Sequence, residues 1–317
     1  MRVTPQMEIL DTVYIGNEEG GQNIPAITFA NENYIVAFLD MRPGKGIITK
    51  RISPQGIILD TGYTVDDGNN NPDIATDGTR SLVVWSKEFV GVLGRCVDSL
   101  AKPEDSVFTV GALLGSSTAP KVAYGGSNYL VVWSDFNSPV GDLDIFGQVV
   151  STQGQLVDER ITIARGAEIQ KSPNLAFDGS RYIITWLEGI SKICGQFVGT
   201  NGKLIGSAFQ ISDTTSIERQ FPSIAAGSSN YLVAWAEYHN GFDIYGSAEN
   251  LINVNEEKTT TRKNFPTVII CANSLSQFTR YDIFDIAGRR VRTNQVEPGI
   301  YFIKFGEYTL VKVIIIK

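Results

Sequence analysis

The stretch Tyr129-Leu-Val-Val-Trp133 decides the fold, because close copies of it recur along the chain. Its residues are apolar or aromatic without the alternation of a half-solvated strand, so we expect a strand that is covered on both faces. One large aromatic ends every copy, and its recurrence at one strand position predicts packing between repeats. The other copies are Tyr34-Ile-Val-Ala-Phe38, Ser81-Leu-Val-Val-Trp85, Tyr182-Ile-Ile-Thr-Trp186 and Tyr231-Leu-Val-Ala-Trp235.

A proline stands 13 residues before the aromatic of each copy, and successive prolines are 47, 48, 53 and 49 residues apart. Asp-Gly dipeptides, Asp77-Gly78 and Asp178-Gly179, stand where a tight hairpin needs a residue with a positive φ. Each repeat then divides into four strands, the first of which follows the proline. Four-stranded units at this period are typical of propeller blades, with a solenoid as the alternative. The prolines are Pro25, Pro72, Pro120, Pro173 and Pro222.

The two ends of the repeat region predict how an all-β, five-bladed propeller closes. Arg2–Thr12 matches Arg51–Thr61 almost residue for residue, whereas the last repeat stops near Ile252 without a fourth strand. We therefore expect Glu8–Ile15 to close the last blade as its outer strand, which removes an exposed sheet edge. The alternative is that further blades precede Met1. The predicted blades lie near 24–70, 71–118, 119–171, 172–220 and 221–252, with 1–23 added to the last.

Composition describes a folded globular protein, with 43% hydrophobic and 19% charged residues and a formal net charge of −7. Residues 254–317 carry a net +4, so residues 1–253 carry −11. An acidic main domain disfavours nucleic acid, whose phosphates need a basic face, and it would be repelled by an anionic membrane surface. No apolar run reaches the length of a membrane-spanning helix. We expect a monomer.

Three cysteines, Cys96, Cys194 and Cys271, stand far apart and form no Cys-x-x-Cys pair. This spacing predicts neither a metal site nor a redox motif, and we expect no cofactor. Their simplest interpretation is three small buried hydrophobic residues. The possibility of one disulfide among them stays open.

Acidic residues stand two positions after the blade aromatic in four of the five repeats. Five-bladed propeller glycosidases use two or three acids in a central cavity, so these residues suggest a secreted carbohydrate-active enzyme as an alternative function. However, they follow the repeat, whereas a catalytic set normally breaks it, and we predict no catalytic residue. His239 is the only histidine, and we expect a solvated loop residue. The four acids are Asp40, Asp135, Glu188 and Glu237, with Lys87 in the second blade.

The loop between Asp135 and Asp144 is the local stretch that most resembles a ligand site. The carboxylates of Asp135, Asp142 and Asp144 could present oxygens to a hard cation such as Ca²⁺. The spacing fits no EF-hand, and residues of this type are common in the turns between strands. These three are therefore weak metal candidates, and no metal is predicted.

The C-terminal part begins with a polar, charged stretch, 253–263, which is typical of a linker. Segment 264–317 then contains three strand-like stretches. They begin at Tyr281, at Glu297 and at Val311, and Pro298-Gly299 forms a turn between the first two. We expect a small β-sandwich-like domain here, whose alternative interpretation is an accessory domain without a sorting role.

Segment 264–317 resembles the type A C-terminal sorting domain of the type IX secretion system. The family pattern is a strand with Asp-x-x-Gly-Arg-x-Val, a Gly-Ile-Tyr turn and strand, and a closing apolar strand that ends in lysine. The residues of this chain that match it are Asp285, Gly288, Arg289, Gly299, Tyr301 and Lys317.

The resemblance implies secretion or attachment to the cell surface, and secretion machinery as a partner of the C-terminal domain. The route also implies a signal peptide, which does not follow Met1, so we expect the natural start to lie upstream. The propeller of residues 1–252 would then be a binding or interaction module with a protein or carbohydrate ligand. A purely structural surface protein is a further alternative.

Overall fold

A computed structural model describes most of the propeller and the strands of the C-terminal segment. The described ranges are residues 2–3, 9–16, 20–67, 70–88, 90–104, 106–112, 119–136, 143–227, 230–250, 267–271, 282–285, 290–291, 299–305 and 309–316. All regular elements in these ranges are β-strands. Within them no helix is long and apolar enough to cross a membrane.

The repeats form a five-bladed β-propeller, as predicted, in which each blade is one antiparallel sheet with its strands in chain order. Blade 1 contains β3 (Gln22–Ala30), β4 (Asn33–Asp40), β5 (Gly46–Ile52) and β6 (Tyr63–Asp66). Blade 2 contains β7 (Asn70–Thr76), β8 (Ser81–Lys87), β9 (Gly91–Val97) and β10 (Phe108–Ala112). Blade 3 contains β11 (Lys121–Tyr124), β12 (Asn128–Phe136), β13 (Leu143–Ser151) and β14 (Leu156–Ala164). Blade 4 contains β15 (Gln170–Phe177), β16 (Arg181–Glu188), β17 (Lys192–Gly199) and β18 (Leu204–Gln210), and blade 5 contains β19 (Arg219–Ala226), β20 (Asn230–Tyr238) and β21 (Phe242–Asn250).

The blade-initial proline explains a bulge that recurs in the first strand. In four blades the pairing register shifts at this point, and the residue before the proline has a positive φ. Proline has no N–H to donate to the ladder, and a bulge removes it from the pairing. The four residues are Ile24, Asn71, Ser172 and Phe221, with φ of 51°, 48°, 55° and 53°.

The cores lie between blades, which confirms the packing predicted for the aromatics. Trp85 packs in a cluster with Ile35 and Ile47 of blade 1, and Trp133 with Leu82 and Val92 of blade 2. Trp186 and Trp235 repeat the arrangement against blades 3 and 4. Gly111 permits the close approach of Trp133, since a Cβ at that position would collide with the indole ring.

The structure corrects the predicted closure of the ring. In the described residues β2 (Ile9–Asp11) pairs with β1 (Arg2–Val3), and the sheet of blade 5 has three strands. The pair Val3↔Ile9 corresponds to the bridge Ile52↔Ile58 of blade 1. The segment Arg2–Thr12 therefore pairs with itself, as the matching segment Arg51–Thr61 does. The segment that follows β2 packs against blade 1, where Ile15 covers an apolar face that includes Phe38.

The C-terminal strands form one sheet in the order β22-β26-β25-β23-β24, with β22 parallel to β26. The described strands lie in this one sheet, and the predicted sandwich-like arrangement of segment 264–317 stays a prediction. The apolar run that ends at Ile316 is hydrogen-bonded on both sides, as suits a central strand. The bounds are β22 (Thr267–Cys271), β23 (Asp282–Asp285), β24 (Arg290–Val291), β25 (Gly299–Phe305) and β26 (Thr309–Ile316).

Candidate functional site: the acidic positions and a cleft between the last two blades

The acid of blade 1, Asp40, is buried at the end of β4 and forms an ion pair with Arg42. Arg42 Nε donates to Asp40 Oδ1 at 2.9 Å and to Oδ2 at 3.1 Å. This hydrogen bonding lowers the pKa of Asp40 to about 2. The carboxylate is therefore held ionised by a residue of its own blade.

In blade 3 the structure brings Asp135 and Asp144 together as opposite residues of β12 and β13. Both side chains are buried, and each has an arginine near it: Arg160 Nη1 lies 3.8 Å from Asp135, and Arg165 Nε lies 3.5 Å from Asp144. Asp142, the third weak metal candidate, lies outside the described residues. Within those residues no group of three His, Cys, Asp or Glu side chains could hold a metal ion.

Blades 2 and 4 show the same pairing with different partners. Glu188 lies 3.5 Å from Lys192 Nζ, and this ammonium group also lies 2.8 Å from Glu168. In blade 2 the polarity is reversed, because Lys87 Nζ lies 3.7 Å from Asp66 and 3.1 Å from Asp67. A cation and a carboxylate therefore meet at this strand end in both blades.

The acid of blade 5, Glu237, is the most densely bonded of the set. Its Oε2 accepts from Arg219 Nε at 2.7 Å and from Trp235 Nε1 at 3.0 Å. His239 Nε2 lies 2.8 Å from Oε1, so the histidine predicted to be a solvated loop residue is 40% exposed and is also bonded to this carboxylate. Burial raises the pKa of Glu237, but the hydrogen bonds from Trp235, Arg219 and His239 outweigh it and the net pKa is lowered.

Arg219 is a buried cation that the sequence analysis missed. It lies opposite Glu237 in the pairing of β19 and β20, where Gln22 and Gln170 lie opposite the acids of blades 1 and 4. Arg219 Nη2 donates to Asp213 at 2.5 Å and to Thr215 Oγ1 at 2.8 Å, and Nη1 donates to a backbone carbonyl of blade 4. In the sequence, Arg219 stands at the repeat position that is glutamine in blades 1 and 4. This difference is the signal that could have identified it.

Arg219 also lines a cleft of about 240 Å³ at the junction of blades 4 and 5. Two large apolar side chains stand in solvent at this cleft, Phe221 at 73% and Ile190 at 67% exposure. Phe221 is the positive-φ residue of the blade 5 bulge, which sets its backbone apart from the ladder. The lining residues are Lys171, Ser172, Leu187, Ile190, Glu218, Arg219, Gln220 and Phe221.

The residues of the sorting pattern are only partly described. Asp285 of β23 lies opposite Tyr301 of β25, and Gly299 begins the same strand β25. The first two motif elements are therefore adjacent strands of one sheet. Gly288, Arg289 and Lys317 lie outside the described residues.

The two cysteines of the propeller are buried. Cys96 and Cys194 belong to different inter-blade clusters, and burial raises the pKa of the Cys194 thiol to about 12. Both therefore fit the interpretation as small hydrophobic residues. The side chain of Cys271 lies outside the described residues.

The chain matches no known family model, and it matches no curated protein. Solved structures with a similar fold include a thermostable family-43 glycoside hydrolase, at 10% identity and a TM-score of 0.45, covering 77% of this chain and 97% of the other. An endo-arabinanase from Bacillus licheniformis matches at 12% identity and a TM-score of 0.44, covering 76% and 89%. An endo-arabinase from Bacteroides thetaiotaomicron matches at 13% and 0.43, covering 74% and 95%. At these values the likeness concerns the fold alone, and ligand and chemistry must be argued from this chain's own residues.

Proposed function

We propose that this chain is a secreted or cell-surface binding module, without catalytic activity, that is exported through a type IX-like route. The observation that carries the non-catalytic part is that each of the four repeated acids lies against a cation of its own blade. A glycosidase needs one carboxylic acid with a raised pKa as proton donor. The pKa values of Asp40 and Glu237 are both lowered instead.

The cleft at the junction of blades 4 and 5 is the proposed ligand site. It combines exposed apolar surface from Phe221 and Ile190 with charged groups at Lys171 and Glu218. Exposed apolar side chains beside a few polar groups are typical of recognition surfaces, and aromatic rings contribute most of the contact energy in such places. The ligand is expected to be a protein or a carbohydrate.

The export part rests on the resemblance of segment 264–317 and on the pairing of its strands. The Asp285 strand and the Gly299–Phe305 strand are neighbours, and the apolar C-terminal strand completes their sheet. Two separate motif elements thus belong to one small β-structure. We expect secretion machinery to recognise this β-structure as one unit.

Catalysis is tested by incubating the purified chain with a panel of plant and bacterial polysaccharides and measuring the release of reducing sugar. We expect no release. Hydrolysis that is abolished by both Asp135→Asn and Glu237→Gln, but not by Glu32→Gln in the exposed turn between β3 and β4, would establish the carbohydrate-active enzyme instead.

Ligand binding is tested by probing glycan and peptide arrays with the labelled chain and its Phe221→Ala variant. We expect at least one ligand whose binding weakens by about ten-fold in Phe221→Ala, as is common when an aromatic anchor is truncated. Ile24→Ala is the matched control, because Ile24 occupies the same bulge position in blade 1. Equal binding by both variants would place the ligand elsewhere and contradict the cleft.

Export is tested by expressing the full chain behind a signal peptide in a host that has the type IX system. The full chain should reach the cell surface or the medium, whereas a chain that ends at residue 263 should stay in the periplasm. Asp285→Ala should reduce export and Asp282→Ala, in the same strand but outside the motif, should not. Periplasmic retention of the full chain would refute the route.

A further inference from the structure

A second cavity, of about 420 Å³, lies between the fourth strand of blade 3 and a turn of blade 4. It is at a different junction from the cleft of blades 4 and 5. Blade 3 lines it with the apolar side chains of Val149, Val157 and Ile161. A cavity of this size with an apolar wall and a few polar groups is typical of a site for a small molecule. The other lining residues are Asp158, Glu159, Asn201, Gly202 and Lys203.

The cavity lies where blade 3 departs from the repeat. One position of the fourth strand is aromatic in blades 1, 2 and 4 but isoleucine in blade 3. The rings of Phe108 and Phe209 cover the glycines opposite them, and a Cβ on those glycines would lie 2.9 and 3.0 Å from a ring carbon. A Cβ on Gly147 would instead meet Ile163 and Leu130. Blade 3 therefore lacks a ring that the other blades have. The equivalent pairs are Thr49↔Tyr63, Gly94↔Phe108, Gly147↔Ile161 and Gly195↔Phe209.

A lysine of the next blade lies over the aromatic ring at the first of these junctions. Lys102 Nζ of blade 2 is 5.5 Å from the centre of the Tyr63 ring, which is a cation–π contact. Lys203 occupies the same turn position in blade 4. In both turns the carbonyl of the lysine accepts a backbone N–H at 2.8 Å, from Asp98 and from Gly199 respectively. Lys203 lines the cavity, so a ring placed there restores the contact that Lys102 makes with Tyr63.

The rim of the cavity also carries a carboxylate on a strained backbone. Asp158 has a φ of 57°, and its counterpart in blade 4 is Gly206, with a φ of 66°. The two are equivalent because the buried amides of Gln148 and Gln196 donate to their carbonyls, at 3.2 and 3.3 Å. Glycine adopts a positive φ readily, whereas aspartate does so at a cost. With Glu159 beside it, the rim has two exposed carboxylates against one ammonium group.

We propose that this cavity binds a small aromatic amine. The ring of the ligand takes the place of the aromatic side chain that blade 3 lacks, against Ile161 and below the ammonium group of Lys203. The amine lies at the rim near Asp158 and Glu159, where the excess of carboxylates attracts a cation. This site is independent of the cleft between blades 4 and 5 and of its ligand.

The probe is tyramine, titrated into the full chain and followed by ligand-detected NMR. We expect binding with a Kd on the order of 0.1–1 mM, as suits a ligand of so few atoms. 3-(4-Hydroxyphenyl)propanoate has the same ring and the opposite charge, and 2-cyclohexylethylamine has the same charge and no π face. Each should bind at least about three-fold more weakly. Absence of tyramine binding, or equal binding of either analogue, overturns the proposal.

Ile161→Phe restores the aromatic residue of the repeat and should fold, because blades 2 and 4 accommodate phenylalanine at this position. It should weaken tyramine binding by about ten-fold or more, since the new ring occupies the place of the ligand's ring. Ile205→Phe is the matched control, because it makes the same exchange in the fourth strand of blade 4, outside the cavity. Equal tyramine binding by the two variants overturns the proposal.

Asp158→Asn tests the charge separately, since asparagine also tolerates a positive φ. It should weaken tyramine binding by about three-fold and leave the binding of uncharged 4-ethylphenol unchanged. Phe221→Ala, in the cleft, should leave tyramine binding unchanged, so failure at this cavity and failure of the cleft are distinguishable. Tyramine binding that is lost in Phe221→Ala, or unaffected by Asp158→Asn, contradicts the assigned site.

Discussion

The faces shared by blades 2, 3 and 4 with their neighbours bury apolar side chains, whereas in the described residues Ile27 of blade 1 and Ile244 of blade 5 stand exposed on the two remaining faces. The same strand position is fully buried as Ile193 of blade 4 and 73% exposed as Ile244 of blade 5. The two residues are identical in type and lie at equivalent places in their hairpins. The repeated sequence therefore supplies the same apolar residue in both blades. How much that residue contributes to the free energy of unfolding depends on whether another part of the chain covers it.

The largest effect should come from removing an aromatic at an interior junction. Trp133→Ala removes a fully buried ring that packs across blades 2 and 3, and we expect a loss of about 3–5 kcal/mol in the free energy of unfolding. Phe38→Ala, at the same position of blade 1, should cost less, because that face is covered by the segment near Ile15 and not by a whole blade. Chemical denaturation measures both.

Equal losses in Trp133→Ala and Phe38→Ala would contradict the comparison. They would show that each blade is stabilised from within its own sheet. The measurement requires the same denaturant dependence in both variants, since a changed slope signals loss of cooperativity between blades.

The next effect compares the two isoleucines directly. Ile193→Ala should cost about 2–4 kcal/mol, because it leaves a cavity between blades 4 and 5. Ile244→Ala should change the stability of dilute protein by less than about 0.5 kcal/mol, as for an exposed position. A large loss for Ile244→Ala in dilute protein would mean that its face is covered within one chain.

Much of this fold is readable from the sequence, because it depends on features that recur. The period, the blade-initial prolines and the two-sided apolar strand each repeat five times, so packing of Trp85, Trp133 and Trp186 between blades is predictable. Closure is different, because it occurs once and depends on competition between two pairings. The sequence match of Arg2–Thr12 does not show whether β2 pairs with β1 or with β21.

The candidate site was less predictable than the fold. The acids two positions after the aromatic were predicted from their spacing. Arg42 and Lys192 follow their acids within four residues, but the partners of Asp135 and Glu237 come from other strands. Arg160 lies on the fourth strand of its blade and Arg219 on the first. Only the pairing of strands brings these two cations to the acids, so the spacing of the carboxylates along the chain does not predict them.

A smaller effect tests the hydroxyl contact between blades. Tyr182→Phe removes a hydrogen bond of 2.8 Å to the carbonyl of Asn128 in the preceding blade, and we expect a loss of about 1 kcal/mol. Tyr34→Phe, at the exposed counterpart in blade 1, should leave the stability of dilute protein nearly unchanged. Thermal unfolding of the two variants in parallel gives the difference. Equal losses would indicate that the tyrosine hydroxyl acts within its own blade.

The smallest effect concerns a feature that should not depend on neighbouring blades at all. Asp40 is 2% exposed although it belongs to a terminal blade, because its partner Arg42 is two residues away in the same chain segment. Its pKa of about 2 lies below the ordinary carboxyl value, so its stabilising contribution is present above about pH 4 and is lost as the pH falls toward 2. Asp40→Asn should lower stability slightly at neutral pH and flatten the loss between about pH 4 and pH 2. An unchanged acid unfolding profile would show that the Asp40–Arg42 pair contributes nothing to stability, as in many ion pairs near a surface.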